Sequence, residues 1–506
     1  MKHDFFFGLF YGQSNFPRLN FPRLIETKNF RRCIFGIVAA LISAALVTPK
    51  QAEALPSFAR QTGQACAACH TDYPQLTPFG RRFKLGGYTL GSGRESEEYK
   101  KTFGGSQWVP PLSVMGIVSF SKTQTSQPGN YPKDNNYFSA QQGSLFYGGA
   151  ITDDLGAFVQ ATIVDRQTTG PNTSDVFLDN TDIRYAKNGS IFGKDAIFGI
   201  TLHNNPTVQD VWNTTPAWGY PFVASAFAPS PSAATIIEGN FASKVIGIGG
   251  YTFIDDKFYI EATGYKGFNH RWQSALGVWD YTSTTSYMDR VSPYVRIAFE
   301  PHWGNHWLMI GAFWLNTSVD PLYVDMQNPG NLFAPAGYTM PGRDKYVDLG
   351  FDSQYQYMGD NYTVTIRGSY IREKQKLNAT FANGLSDNPT NTLNSLKAQA
   401  SLAWNTNTPM NMLIFTGGYF NTWGTTDLTL YGDSFNGSPN SDGWIAEIAW
   451  IPFSMSKAPV WPYFNARVGL QYIWYNKFNG ASINYDGAGR NARDNNTLFA
   501  YLWFAM

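Results

Sequence analysis

The residues best suited to do chemistry are Cys66, Cys69 and His70, which have the spacing CxxCH. Two thiols on one turn can each form a thioether to a haem vinyl group, and the imidazole that follows can ligate the iron. The chain has three cysteines, and Cys33 lies in a predicted leader, so no second pair completes a zinc site. The motif therefore predicts one covalent c-type haem. The alternative is a thiol or disulfide pair followed by an unrelated histidine.

Residues 1–54 are interpreted as an export signal. A basic region at 28–32 precedes an uncharged run at 33–47, and Ala52-Glu53-Ala54 is typical of a cleavage site. The uncharged run is shorter than the roughly 18 residues of a membrane helix. We therefore expect the mature chain to begin at Leu55, with an uncleaved anchor as the alternative.

The composition is unusual for a soluble protein. Aromatic residues make up 16% and charged residues 15% of the chain, against about 25% charged in typical globular domains. Beyond the leader, no apolar run reaches the length of a membrane helix, which excludes a helical-bundle membrane protein. The net charge of +1 is too small to indicate a nucleic-acid-binding protein. Aromatic girdles and polar loops are typical of an outer-membrane barrel.

The chain divides into a predicted cap and a predicted barrel. Residues 55–108 contain the CxxCH motif and many Gly and Pro residues without alternation, which predicts a small α-helical monohaem cytochrome c cap. Residues 109–506 consist of alternating segments separated by Gly, Asn, Asp and Pro clusters, which predicts transmembrane strands. This fold class is an all-β transmembrane barrel of about 16 antiparallel strands. A large soluble β-sandwich or propeller is the alternative. The predicted strands are 113–121, 137–151, 155–166, 176–188, 194–204, 234–254, 257–267, 292–300, 306–316, 346–358, 361–371, 392–405, 410–422, 442–453, 462–478 and 496–506.

Alternation is clearest in the segments 346–358 and 361–371, where apolar and polar residues occupy opposite faces. One face is expected to contact lipid and the other to line the lumen. The final segment, 496–506, is aromatic-rich and ends with the chain, which is typical of a strand that closes a barrel.

The cap is too small to enclose a haem alone, because domains of about 54 residues bury only about 60% of their chain surface. We therefore expect it to lie in the periplasmic mouth or within the lumen, where the barrel can cover the haem. Within 55–108 there is no Met and no His except His70, so a distal iron ligand must come from elsewhere. Met115, predicted to face the lumen, is the first candidate; alternatively it fills a gap in the packing. The other candidates are His203, His270, His302 and His306.

Two further groups in the cap have predicted roles. Four basic residues could pair with haem propionates or form a solvated basic face: Arg60, Arg81, Arg82 and Lys84. Three phenylalanines are interpreted as the core of the cap: Phe58, Phe79 and Phe83.

Three stretches carry a resemblance to a known family. The segment LPSFARQTG at 55–63, the CAACH motif, and LTPFGRRFKLGGY at 76–88 closely resemble the cap of the fused outer-membrane monohaem cytochrome c–porins of iron-oxidising bacteria. Within the barrel, the segment 204–219 also resembles this family, and it suits an in-folded loop that narrows the lumen.

The resemblance implies an outer-membrane electron-transfer protein of the Fe(II):cytochrome c oxidoreductase type. Such a protein takes electrons from extracellular Fe(II) through one haem c to a periplasmic cytochrome. The alternatives are a conduit for another electron donor or acceptor, and a haem-gated porin for small solutes. Asp348 and Asp352, predicted to face the lumen, could attract Fe(II) as hard oxygen ligands or could simply hydrate a porin interior. No HExxH, Walker or GxSxG motif indicates a hydrolytic enzyme.

Overall fold

The computed structural model describes residues 55–90, 111–127, 136–164, 176–215, 222–268, 270–278, 288, 290–320, 342–406, 412–454 and 460–506. The predicted export signal and the predicted boundary at 108–109 lie outside these residues. Residues 50–506 cluster as one unit. No helix in the described part of the chain has the length and apolar character needed to cross a membrane.

Residues 55–90, called the cap below, form three helices and a short hairpin. The elements are α1 (Pro56–Thr62), α2 (Cys66–Cys69), β1 (His70–Asp72), β2 (Gln75–Leu76) and α3 (Pro78–Leu85). Proline at the first position starts α1 and α3, and Gly63, with φ of 65°, ends α1 in the left-handed conformation. The Thr77 side chain caps α3 by accepting the Gly80 N–H. The cap is therefore mainly helical, as predicted, but the hairpin was not.

In the part of the chain that the structure describes, sixteen strands close an antiparallel barrel. They are β3 (Leu112–Thr123), β4 (Tyr137–Ala150), β5 (Leu155–Val164), β6 (Val176–Ile191), β7 (Lys194–His203), β8 (Val245–Ile254), β9 (Phe258–Gly267), β10 (Ser292–Phe299), β12 (His306–Val319), β13 (Asp344–Met358), β14 (Tyr362–Leu377), β15 (Thr390–Asn405), β16 (Met412–Gly424), β17 (Ser441–Ile451), β18 (Asn465–Lys477) and β19 (Thr497–Ala505). A two-residue strand, β11 (His302–Trp303), pairs with β12 alone. Among the described residues, three short α-helices lie between strands: α4 (Pro206–Gln209), α5 (His270–Ala275) and α6 (Asn378–Ala382); a 3-10 helix, Ala492–Asn495, precedes β19.

Each predicted strand corresponds to an observed one, and the last closes the barrel. Strand β19 pairs with β3, with Thr497 opposite Thr123 and Ala505 opposite Met115. One predicted boundary is wrong by eleven residues, because the segment expected to begin at 234 starts as β8 at Val245. Residues 234–244 are instead part of a loop that folds into the lumen, so their apolar residues are buried there and not by strand pairing.

The two faces of the strands are as predicted. On β13, Leu349 and Phe351 are exposed outward, whereas Asp348 and Asp352 are buried within the barrel. On β14, Ile366 points outward and Arg367 inward. A closed barrel pairs every strand edge, and an apolar outer face lets it lie in lipid. This architecture therefore fits a membrane-spanning barrel.

The two ends of the barrel differ in the length of their connections. At one end, called the cap end, the turns are short: 151–154, 192–193, 255–257 and 359–361. At the other, called the far end, the connections are longer, for example 204–244, 378–389, 425–440 and 478–496. The cap lies at the cap end, where Arg82 pairs with Asp256 of the 255–257 turn.

Candidate functional site

The CxxCH motif forms one helical turn that is held by the start of α3. Thr77 donates its hydroxyl to the Ala68 carbonyl at 2.6 Å and its N–H to the Cys69 carbonyl at 2.9 Å. Gly80 packs so closely on this turn that an added Cβ would clash with the Cys69 carbonyl oxygen. The sulfurs of Cys66 and Cys69 are not joined in a disulfide. The turn is thus fixed by its neighbours.

The motif faces a large cavity. Cys66, Cys69 and His70 line a space of about 720 Å³, within the range of pockets that enclose small-molecule ligands and cofactors. The rest of the lining comes from three parts of the molecule: the cap contributes Phe58, the barrel wall contributes Ile117 and Phe146, and an in-folded loop contributes Phe222 and Val223. The cavity is therefore covered jointly by the cap and the barrel, which is the enclosure that the small cap alone could not provide.

Burial sets the protonation of the motif in a way that suits a bound haem. It lowers the pKa of His70 to about 4, so the imidazole is neutral at physiological pH, and neutral imidazole is the form that ligates iron. The Nδ1 atom of His70 is buried without a hydrogen-bond partner among the described residues. Burial also raises the pKa of the Cys69 thiol to about 12. Two thiols on one turn followed by a neutral imidazole are a donor set that fits a thioether-linked haem.

Met115 faces the lumen, as the alternation of the first strand predicted. It is 7% exposed, on the inward face of β3 with Ser113, and it lines the same cavity as His70. No other Met or His from the described residues lines this cavity. Met115 is therefore well placed to be a distal ligand, although that role stays a prediction.

The histidine alternatives are less well placed. His203 is buried beside Tyr265, with its Nε2 2.7 Å from the tyrosine hydroxyl, and does not line the cavity. His302 and His306 lie at the turn between β11 and β12, where each stacks on a tryptophan. The side chain of His270 lies outside the described residues.

The four basic residues of the cap do not act as one group. Arg81 is buried and pairs with Glu300, whereas Arg82 is half-exposed and pairs with Asp256. Arg60 donates to the Leu112 carbonyl at 2.6 Å. Only Lys84 of the four lines the cavity. Arg60, Arg81 and Arg82 therefore mainly attach the cap to the barrel. Lys84 also contacts barrel residues, since its Nζ donates to the Val208 carbonyl and lies 3.9 Å from Asp182, and its propionate role stays a prediction.

One cationic residue of the cavity wall was not predicted from the sequence. Arg467 on β18 lines the cavity, and its Nη1 atom lies 2.6 Å from Asp72 Oδ1 and donates to the Tyr73 carbonyl at 2.6 Å. It also pairs with Glu447. Its inward phase on a strand could be read from the sequence, but its position beside the CxxCH motif could not.

The predicted aromatic core of the cap is correct in two of its three members. The ring of Phe58 lies 5.1 Å from that of Phe83 and 5.4 Å from that of Tyr88. Phe79 is 38% exposed, so its predicted core role is wrong. It lies in the first turn of α3, where Gly80 and Arg81 are the buried residues. Tyr88 takes its place, and donates its hydroxyl to Asp182 of the barrel at 2.6 Å.

The loop predicted to narrow the lumen does fold inward. Each residue from 204 to 215 is buried, and the segment includes α4, whose first turn is capped by Asn205. Asp210 accepts the N–H groups of Trp212 and Thr214 at 2.9 and 3.0 Å, which closes the turn after α4. The prediction is confirmed for 204–215, and residues 216–219 lie outside the described part.

Two lumenal acids hold this loop. Asp352 pairs with Arg296 at 2.5 Å and accepts from Thr214, while Arg296 also lies 3.6 Å from Asp210. Asp348 accepts the N–H of Ile237 at 3.2 Å. Neither acid simply hydrates the lumen, as one alternative held. Among the described residues, no group of three or more His, Cys, Asp or Glu side chains could hold a metal ion.

No family model and no curated protein matches the chain. Solved structures of outer-membrane proteins do. Salmonella typhi OmpF, in complex with daunomycin, is 12% identical over 78% of this chain and 97% of its own, with a TM-score of 0.42. The outer membrane channel DcaP of Acinetobacter baumannii is 12% identical over 78% and 96%, with a TM-score of 0.40. An anion-selective porin from Comamonas acidovorans is 11% identical over 78% and 98%, also with a TM-score of 0.40. Likeness at this level carries no conclusion about ligands or partners.

Proposed function

We propose that this protein is an outer-membrane electron-transfer protein with one covalent haem c. It takes electrons from extracellular Fe(II) and passes them to a periplasmic cytochrome. The observation that carries the proposal is the placement of Cys66, Cys69 and His70 on a cavity lined by both the cap and the barrel. The close resemblance of the cap segments to the monohaem cytochrome–porins of iron-oxidising bacteria supports the same function.

The residues of the cavity have separate tasks. Cys66 and Cys69 would attach the haem, and His70 would ligate its iron, with Met115 as the proposed second ligand. A bound haem would supply one-electron redox chemistry, which matches the single electron released by Fe(II). Phe58, from the cap, helps to exclude water from the cavity. Lys84 and Arg467 line the cavity, but Arg467 already pairs with Asp72 and Glu447 and Lys84 lies 3.9 Å from Asp182, so a haem propionate would compete with these carboxylates.

The orientation follows from the lengths of the connections. Outer-membrane barrels have short periplasmic turns and longer extracellular loops. The cap end would therefore face the periplasm, where a soluble cytochrome can approach the cap. The far end would face the exterior, where oxidation of Fe(II) leaves the insoluble ferric product outside the cell.

The rival function of a haem-gated porin needs an open path for solutes. The cap and the in-folded loop both make contacts within the lumen. The cap contacts well-separated parts of the barrel, through Asp182 on β6, Gln356 on β13 and Arg467 on β18. Beyond it, the in-folded loop is fixed to β10 and β13 by the ion pairs around Arg296. The porin-like barrel itself fits the rival function, which would need these contacts to open.

The test uses the full-length, haem-loaded protein in sealed membrane vesicles without oxygen. Fe(II) is added outside, and the haem absorption bands are followed in time. We expect the oxidised haem to become reduced, and a periplasmic-type cytochrome enclosed in the vesicle to be reduced after it. Dithionite serves as the control that the haem can be reduced. If dithionite reduces the haem and Fe(II) does not, another donor is used. Solute flux without any haem reduction by Fe(II) would support the porin alternative.

A further inference from the structure

The outer surface of the barrel carries an unusual group of positive charges. Four cationic side chains point outward from two adjacent strands near the far end, and all four are exposed: Lys345 on β13, and Arg372, Lys374 and Lys376 on β14. We call this group the β13–β14 cationic patch. Among the described residues, none of the four forms an ion pair with an acidic side chain.

The strand register concentrates these charges. Lys345 lies directly opposite Lys376, while Lys374 and Arg372 lie opposite Val347 and Leu349. Like charges directly opposite one another on neighbouring strands destabilise the pair. Residues two apart on a strand are about 7 Å apart, and neighbouring strands are about 4.8 Å apart, so one headgroup can reach several of these cations. The arrangement favours an anion with more than one charge.

The patch lies at the edge of the apolar belt. Along the outward face of β14, Val364, Ile366 and Tyr370 precede Arg372, and the ring of Tyr370 stacks 6.1 Å from that of Trp423. Aromatic side chains mark the boundary between the hydrocarbon and the headgroups of a membrane, and long cationic side chains just beyond it reach the headgroup level. The four cations therefore lie where lipid phosphates are found, not among the acyl chains.

Two other strands carry fewer outward-facing cations near the far end. Lys122 on β3 and Lys266 on β9 are also outward-facing and exposed near the far end, but each is the single cation on its strand's outward face there. A general need for solubility would spread such charges around the barrel. The concentration on β13 and β14 indicates a binding surface.

We propose that the β13–β14 cationic patch binds the phosphate groups of an anionic glycolipid of the outer leaflet. Lysine and arginine form charge-assisted hydrogen bonds to phosphate, and clustered cations at a membrane surface gain affinity for anionic lipids with each added charge. The proposal rests on the orientation given above, with the far end outside, and does not depend on the haem.

The test compares lipid binding by the full mature chain, purified in detergent and freed of bound lipid, using native mass spectrometry. The probes are diphosphorylated lipid A, the same lipid without phosphates, and inorganic phosphate. The variant is K345Q/R372Q/K374Q/K376Q, and the matched control is K122Q/K266Q. The K374Q/K376Q variant is used if the larger one does not fold, and heat-dependent gel mobility reports folding.

We expect the four-site variant to bind diphosphorylated lipid A at least about tenfold more weakly than the wild type, and the control to bind it equally well. Removal of the lipid phosphates, or high salt, should weaken wild-type binding. Equal binding by wild type and variant would overturn the proposal, as would equal binding of the dephosphorylated lipid. Displacement of the lipid by millimolar inorganic phosphate would assign the patch to free phosphate instead. None of these readouts involves the haem, so a failure of Fe(II) oxidation would leave them unchanged.

Discussion

Arg467 of the barrel wall pairs with Asp72 of the cap, with Nη1 and Oδ1 2.6 Å apart and both side chains 1% exposed. The same guanidinium also pairs with Glu447, so one buried cation serves two buried carboxylates. Loss of one partner from such a group leaves charge buried without compensation. This contact is therefore expected to hold the cap in the mouth of the barrel.

Replacement of Arg467 by Met should loosen the cap. Two buried carboxylates would lose their counter-charge, at a cost of about 3 to 5 kcal/mol. The measurement is the rate at which a protease cleaves residues 55–90 while the barrel stays intact. The control is Arg82→Met, which breaks the half-exposed pair with Asp256, a kind of pair worth about 0 to 1 kcal/mol. Equal protease resistance of Arg467→Met and the wild type would show that the cap is held elsewhere.

Met115 and Ile117 offer a matched pair of substitutions, because both are buried on the inward face of β3 and both line the cavity. Each change to Ala should cost about 2 to 5 kcal/mol of packing. Only Met115→Ala should also alter the low-spin haem spectrum and lower the haem potential, since a thioether ligand raises that potential. The measurements are the absorption spectrum and a redox titration. The same spectrum and potential in both variants would remove Met115 as a ligand.

The in-folded loop should depend on Arg296, which lies between Asp210 of the loop and Asp352 of β13. Arg296→Met would leave two buried carboxylates facing each other, so we expect the loop to leave the lumen. Cleavage of residues 204–215 by an added protease, with the barrel still folded, should then become several-fold faster. Lys266→Gln, on the outer face of β9, is the control and should be cleaved like the wild type. Unchanged protease resistance of Arg296→Met would show that the loop is held by other contacts.

The barrel could be predicted from the sequence because alternation is a local property. A strand with one face in lipid and one in the lumen repeats every two residues, as 346–358 shows, wherever it lies in the fold. The start of β8 was misplaced because the sequence pattern is only local. The apolar residues at 234–244 are buried in a folded loop, and their pattern does not distinguish burial in a loop from burial in a strand. The closing strand was found because it is the last segment of the chain.

The candidate site could be predicted only in part. The CxxCH motif is contiguous, so Cys66, Cys69 and His70 were evident, and Met115 followed from its phase on the first strand. Arg467 lies far along the chain, and only the closed barrel brings it to Asp72. Asp348 and Asp352 were equivalent in the sequence, yet only Asp352 meets a buried arginine. Such pairings depend on which strands face one another across the lumen, which no local pattern encodes.

The proposed function depends most directly on one covalent haem at Cys66 and Cys69. The decisive measurement is the intact mass of the mature chain, produced in cells that attach c-type haem, together with the haem absorption of the denatured protein. We predict the mass of the polypeptide plus one haem, and its loss in the Cys66→Ala/Cys69→Ala variant while the barrel still folds. A mature wild-type chain with the mass of the bare polypeptide would contradict the account.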